Sequence, residues 1–99
     1  MLIRIVRMTF KPEGVAEFLK NFHANKNSIR NSPGCRHLEL WQDENDKNIF
    51  LTRSHWESEE HLNQYRDSEL FKSVWSFTKQ LFSEKPIAFS SKKIEEVES

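Results

Sequence analysis

"CRHLELWQDENDKNIFLTRSHW", Cys35 to Trp56, holds two runs in which apolar and polar residues alternate, separated by the polar segment "DENDK". Period-two alternation is the mark of a half-buried strand, because successive side chains point to opposite faces. "CRHLELWQ" and "NIFLTRSHW" therefore read as strands two and three, and "DENDK" as their hairpin loop. Antiparallel neighbours at the centre of the chain set the frame for what lies on either side.

Towards the N-terminus, Val15, Phe18, Leu19, Phe22, Lys26 and Ile29 recur at helical spacing, with Glu17, Lys20, Asn21 and Asn25 on the opposite face. This amphipathic helix starts near Glu13 and is closed by "NSPG". Before it, "LIRIVRMTF" predicts strand one over Leu2–Phe10, broken by "KPEG". Towards the C-terminus, Trp56 closes strand three and Ser58 is placed to cap a short helix carrying Leu62 and Tyr65. "RDSE" interrupts that helix, and Asp67 or Ser68 caps a second one. Phe71, Val74, Trp75, Thr78 and Phe82 form its apolar stripe, widened by Leu70, Phe77 and Leu81. Strand four is expected in "KPIAFSSKKIEEV", starting at Pro86 and using Ile87, Phe89 and Ile94. Residues 1–94 read as a single domain and residues 95–99 as a frayed tail.

The order strand, helix, strand, strand, helix pair, strand is that of an α+β, ferredoxin-like split βαβ unit with a four-stranded antiparallel sheet. Its helices cover one sheet face only. Strand one nevertheless has apolar residues of both parities, Leu2, Val6, Met8 and Phe10 against Ile3 and Ile5, with Arg7, Arg53 and His55 sharing the second parity. An uncovered apolar face calls for a homodimer, two sheets face to face in a dimeric α/β barrel.

Composition excludes several function classes. Fifteen basic and fifteen acidic residues leave no net charge, so no nucleic-acid partner and no membrane surface is expected. "MLIRIVRMTF" is too short and too charged for a signal peptide, and no run approaches membrane-spanning length. Cys35 is the single cysteine, which excludes an intrachain disulfide framework and points to a reducing cytoplasm. There is no "HExxH", no glycine-rich phosphate loop and no paired metal-ligand spacing, so neither metal nor dedicated cofactor is expected. His37 and His55 are the candidate bases, since an imidazole titrates near neutrality, although alternation points His55 away from the face of Trp56. His23 and His61 fall on exposed helix faces. Trp56, Tyr65, Phe71 and Trp75 are close enough in sequence either to fill a core or to wall a pocket for a flat, apolar ligand.

The third strand ending in Trp, followed by Ser or Glu and a short helix, "FLTRSHWESEEHLNQYRDSELF", with "NSPGC" before strand two, resembles the antibiotic biosynthesis monooxygenase family of small dimeric α+β barrels. The resemblance implies oxygenation without a cofactor of a small aromatic or quinol-like metabolite, or, in the alternative, a non-catalytic dimeric binding protein for a similar ligand. It adds Val6 to the pocket residues. The family's haem-degrading branch carries Asn, Trp and His where this chain has Val6, Trp56 and Trp75, so haem is not expected. Where many other members place a His nine residues after the strand-three Trp, this chain has Tyr65.

Overall fold

The protein, described over residues 1–98 by a computed structural model, is built on one antiparallel sheet. Strands β1 (Leu2–Thr9), β2 (Cys35–Gln42), β3 (Ile49–Trp56) and β4 (Ile87–Ser91) lie in the order β2-β3-β1-β4. Helix α1 (Val15–Arg30) connects β1 to β2, and α2 (Glu59–Arg66) with α3 (Glu69–Lys79) connects β3 to β4. The two β-helix-β connections interlock, giving the expected ferredoxin-like α+β architecture. A single 3₁₀ turn, Pro12–Gly14, leads into α1. Ser58 and Ser68 cap α2 and α3, their hydroxyls accepting from the amides of His61 and Phe71.

Cross-strand register fixes which side chains share a face. Val6 pairs with Thr52 and Ala88, and Arg4 with Ser54 and Ser90, so these look towards the helices beside Met8, Phe50 and Trp56. Ile3, Ile5 and Arg7 pair with His55, Arg53 and Leu51, and with Ser91, Phe89 and Ile87, on the outer face. Met8, Phe10, Phe18 and Phe50 form the buried core, with the rings of Phe10 and Phe18 stacked at 4.3 Å. Cys35, Trp56 and Leu62 form a second cluster under α2.

Three expectations need correction. Leu19 is exposed, because α1 meets the sheet through the narrower stripe of Phe18, Phe22 and Ile29. Phe77 also faces outward, while Leu81 and Phe82 pack on the core beyond the end of α3. Ile94 lies outside β4, whose pairing ends at Ser91 opposite Ile3, one residue after β1 begins at Leu2. Residues 92–98 carry no helix or strand, and Ser99, the last residue of the expected tail, lies outside the described residues. Among the described residues, no helix is long and apolar enough to cross a membrane.

Gly34 joins α1 to β2 with φ at 81°, the left-handed region that glycine alone enters freely. A Cβ there would also overlap the His61 ring, which packs across it from α2. Gly34→Ala is expected to cost about 2 kcal/mol or more in denaturant unfolding, from backbone strain plus the clash. Adding His61→Ala should recover the part due to the clash, and an unchanged midpoint in the single variant would contradict this account.

Candidate functional site: an aromatic cavity under the helix pair

Alternation on β1 and β3 lays Val6, Thr52, Ser54 and Trp56 along the sheet surface beneath α2 and α3. Helical spacing turns Leu62 and Tyr65 of α2, and Phe71 and Trp75 of α3, down towards them. Between these layers lies a cavity of about 210 Å³, and Val6, Trp56, Tyr65, Phe71 and Trp75 are all in its wall. A further space of about 100 Å³ adjoins it towards Met8, Phe18 and Val74, sharing Val6, Thr52, Phe71 and Trp75 as the partition.

The aromatic rings form a continuous chain. Trp56 stacks on Tyr65 at 4.9 Å, Tyr65 meets Phe71 edge-on at 5.2 Å, Phe71 stacks on Trp75 at 5.8 Å, and Trp75 meets Phe82 at 5.5 Å. Trp56 is 1% exposed and donates its indole N–H to Ser54 Oγ at 2.9 Å, so its polar group is satisfied within the sheet. The hydroxyl of Tyr65 makes no side-chain hydrogen bond among the described residues and is not one of the buried unpartnered atoms, so at the cavity wall it can donate to a ligand. Burial pushes the phenol of Tyr65 well above its usual pKa, which keeps it protonated and unfit as a base.

His37 and His55 are brought together with each other, not with this cavity. Their rings lie 4.8 Å apart on the outer sheet face, because residues 37, 53 and 55 have the parity opposite to Trp56. His55 Nε2 accepts from Arg53 Nε at 3.0 Å, and His37 Nε2 lies 2.9 Å from Glu39 Oε2. Burial, then the Arg53 charge, lowers the pKa of His55, favouring the neutral ring that this hydrogen bond requires. His23 is exposed, and His61 is half-buried against Gly34. Cys35 is buried beside Trp56, its thiol pushed up by desolvation and so deprived of nucleophilic character. Arg4 and Arg66, which the sequence reading did not single out, also border the cavity. One signal for Arg4 was available: a charged residue at a core-parity position of strand one.

The fold and the cavity wall now meet a third observation, since the sequence profile described as "antibiotic biosynthesis monooxygenase" matches residues 1–74. The chain belongs to the antibiotic biosynthesis monooxygenase family. No curated protein sequence matches it significantly. Among solved structures, one named antibiotic biosynthesis monooxygenase superposes with a TM-score of 0.90 at 19% identity, covering 96% of this chain and 100% of that one. A conserved protein from Methanosarcina mazei Go1 gives 0.87 at 22% identity, covering 94% and 93%. Rv0793 from Mycobacterium tuberculosis gives 0.87 at 16% identity, covering 98% of each. At such identities the likeness is one of fold. The profile stops one residue before Trp75, so Trp75 and the β4 side of this family member's cavity lie beyond the matched segment. Neither His nor Cys lines either space among the described residues; of the side-chain types that ligate haem iron, the wall carries the Tyr65 phenol, held protonated by burial, and the Met8 thioether.

A side chain that borders a void loses fewer contacts on truncation than one packed on all sides. Trp75→Ala is expected to cost under about 2.5 kcal/mol by denaturant unfolding, below the about 3–5 kcal/mol typical of a packed aromatic. A loss at the top of that packed range would make Trp75 a core residue.

Proposed function

We propose that the protein is a cofactor-independent monooxygenase acting on a small aromatic, quinol-like compound held in the cavity under α2 and α3. The observation that carries this reading is the wall itself: flat rings, one free phenolic donor, and a volume of about 210 Å³ in a member of this family. A cavity of about 150 Å³ takes a benzene ring, so this one suits a substituted ring or two fused rings. The substrate is a phenol or enol with a tautomer carrying a CH₂ group. Loss of one proton gives a carbanion-like carbon that donates electrons to dioxygen and forms a C–O bond. The peroxide takes up a proton and loses water as the carbonyl forms. CH₂ and O₂ become C=O and H₂O, and the four electrons leaving carbon reduce both oxygen atoms. The protein's part is to bind the ring, orient it and exclude water, with Tyr65 donating to the substrate oxygen.

The cavity lining contains no His, Asp, Glu or Lys among the described residues, so the substrate's proton leaves to water at the mouth. That same composition favours a second reading, a binding protein without turnover. Oxygen uptake with 1-naphthol, a two-ring phenol whose keto tautomer carries a CH₂ group, followed together with naphthoquinone formation, separates the two. Turnover above the uncatalysed rate is expected, retained within about twofold in His37→Gln and His55→Gln because both rings lie across the sheet. Saturable binding without turnover would establish the binding protein, and loss of turnover in either variant would make that histidine the base.

We propose further that the outer sheet face pairs with its copy in a homodimer, in a reducing cytoplasm that suits the free Cys35 thiol. Trp41, Ile87 and Phe89 are 40%, 53% and 48% exposed on that face beside half-buried Ile3, Ile5 and Leu51. Light scattering is expected to return a dimer at micromolar concentration and a monomer for Phe89→Glu. A wild-type monomer over that range would refute the pairing.

A further inference from the structure

Two guanidinium groups border the aromatic cavity with no carboxylate to meet them. Arg4 stands on the helix-covered face of β1, where both cross-strand neighbours are serines, and it donates from Nη1 to Ser90 Oγ at 3.2 Å. Arg66, in the last turn of α2, reaches the same cavity from its exposed side. The ion pairs among the described residues join Arg36 to Glu57, His37 to Glu39, His61 to Glu57 and Lys93 to Glu96, leaving Arg4 and Arg66 out.

This placement brings two like charges to one cavity without a counter-ion. Leu2, Val6, Met8, Phe50 and Trp56 make that face of β1 and β3 apolar, and a half-buried charge among them gives up hydration without an ion pair in return. Burial and, after it, the nearby positive charge of Arg66 both lower the proton affinity of Arg4. Equal numbers of acidic and basic residues mean that no general surplus of cations explains the pair. The C-terminal end of α2 accounts for Arg66 in part, through the helix dipole, but not for Arg4 on the sheet. An anion arriving between the two groups relieves their repulsion and meets guanidinium N–H donors in the geometry that carboxylates fit best.

We infer that the cavity takes an aromatic carboxylate, its ring or fused ring pair among Trp56, Tyr65, Phe71 and Trp75 and its acid group between Arg4 and Arg66. This deepens the proposed function and rests on its reading of the cavity as a ligand site. Tyr65 then meets the ring oxygen, and the arginine pair fixes which end of the molecule enters first. Calorimetric titration with 2-naphthoate and with its neutral counterpart, 2-naphthalenemethanol, tests the inference on the intact protein. At low salt the acid is expected to bind at least about tenfold more tightly than the alcohol, and rising salt should shrink that advantage. The double variant Arg4→Gln, Arg66→Gln should abolish the difference while still binding the alcohol. Equal affinity of the two probes for the wild type, or an acid preference that survives in the double variant, overturns the carboxylate inference and leaves the aromatic cavity standing. Failure of both probes to bind overturns the two together.

Discussion

The hydrogen-bonded seat of β1 between β3 and β4 is the constraint on which the rest of the molecule depends. A strand paired on both edges cannot slip by one residue without exchanging every side chain between faces. With the register held, Val6 floors the cavity, Met8 enters the core, and Ile3 and Ile5 are committed to the outer surface. The sheet thereby becomes a partition. Chemistry on one side is screened from the charged and imidazole groups on the other, and this is why His37 and His55, close together as they are, stand apart from the aromatic pocket.

What the partition leaves in the cavity is an unusual set of polar groups: a phenol held protonated by burial, two neutral hydroxyl residues, and two arginines. None is a base near neutral pH. Such a wall stabilises negative charge on a ligand better than it removes a proton from one. Cofactor-free oxygenation is compatible with that economy, because the electron source is the substrate's own conjugated anion and the protein has only to hold and shield it. The edge-to-face and stacked ring chain from Trp56 to Phe82 supplies the shielding, and also ties α2 and α3 to the sheet.

Most of the fold was legible because period-two and period-3.6 patterns are strong in this chain. The hairpin of Cys35–Trp56, the serine caps and the interruption at "RDSE" all follow from local chemistry. Where the reading failed, tertiary partners decided. Leu19 and Phe77 have helical spacing suited to burial but stay partly exposed, Phe77 lying beside Asn21 and Ala24 of α1 and not over the sheet, and Ile94 has no β1 residue left to pair with. The five pocket residues could be named from their clustering and the family resemblance, yet neither the cavity's volume nor its separation from the core is written in any local pattern. Arg4 was visible as a parity violation in "LIRIV". Arg66 was not, because an exposed arginine in a last helical turn is what the helix dipole favours anyway.

The central claim is that the aromatic cluster encloses a ligand space on one side of the sheet only. The three tryptophans report on it separately, since Trp56 and Trp75 line the cavity and Trp41 lies on the outer face. In a titration with 2-naphthalenemethanol followed by the indole N–H resonances in a proton–nitrogen NMR spectrum, Trp56 and Trp75 should shift saturably with one shared dissociation constant while Trp41 stays in place. Shifts confined to Trp41, or no saturable shift at Trp56 and Trp75, would contradict the account.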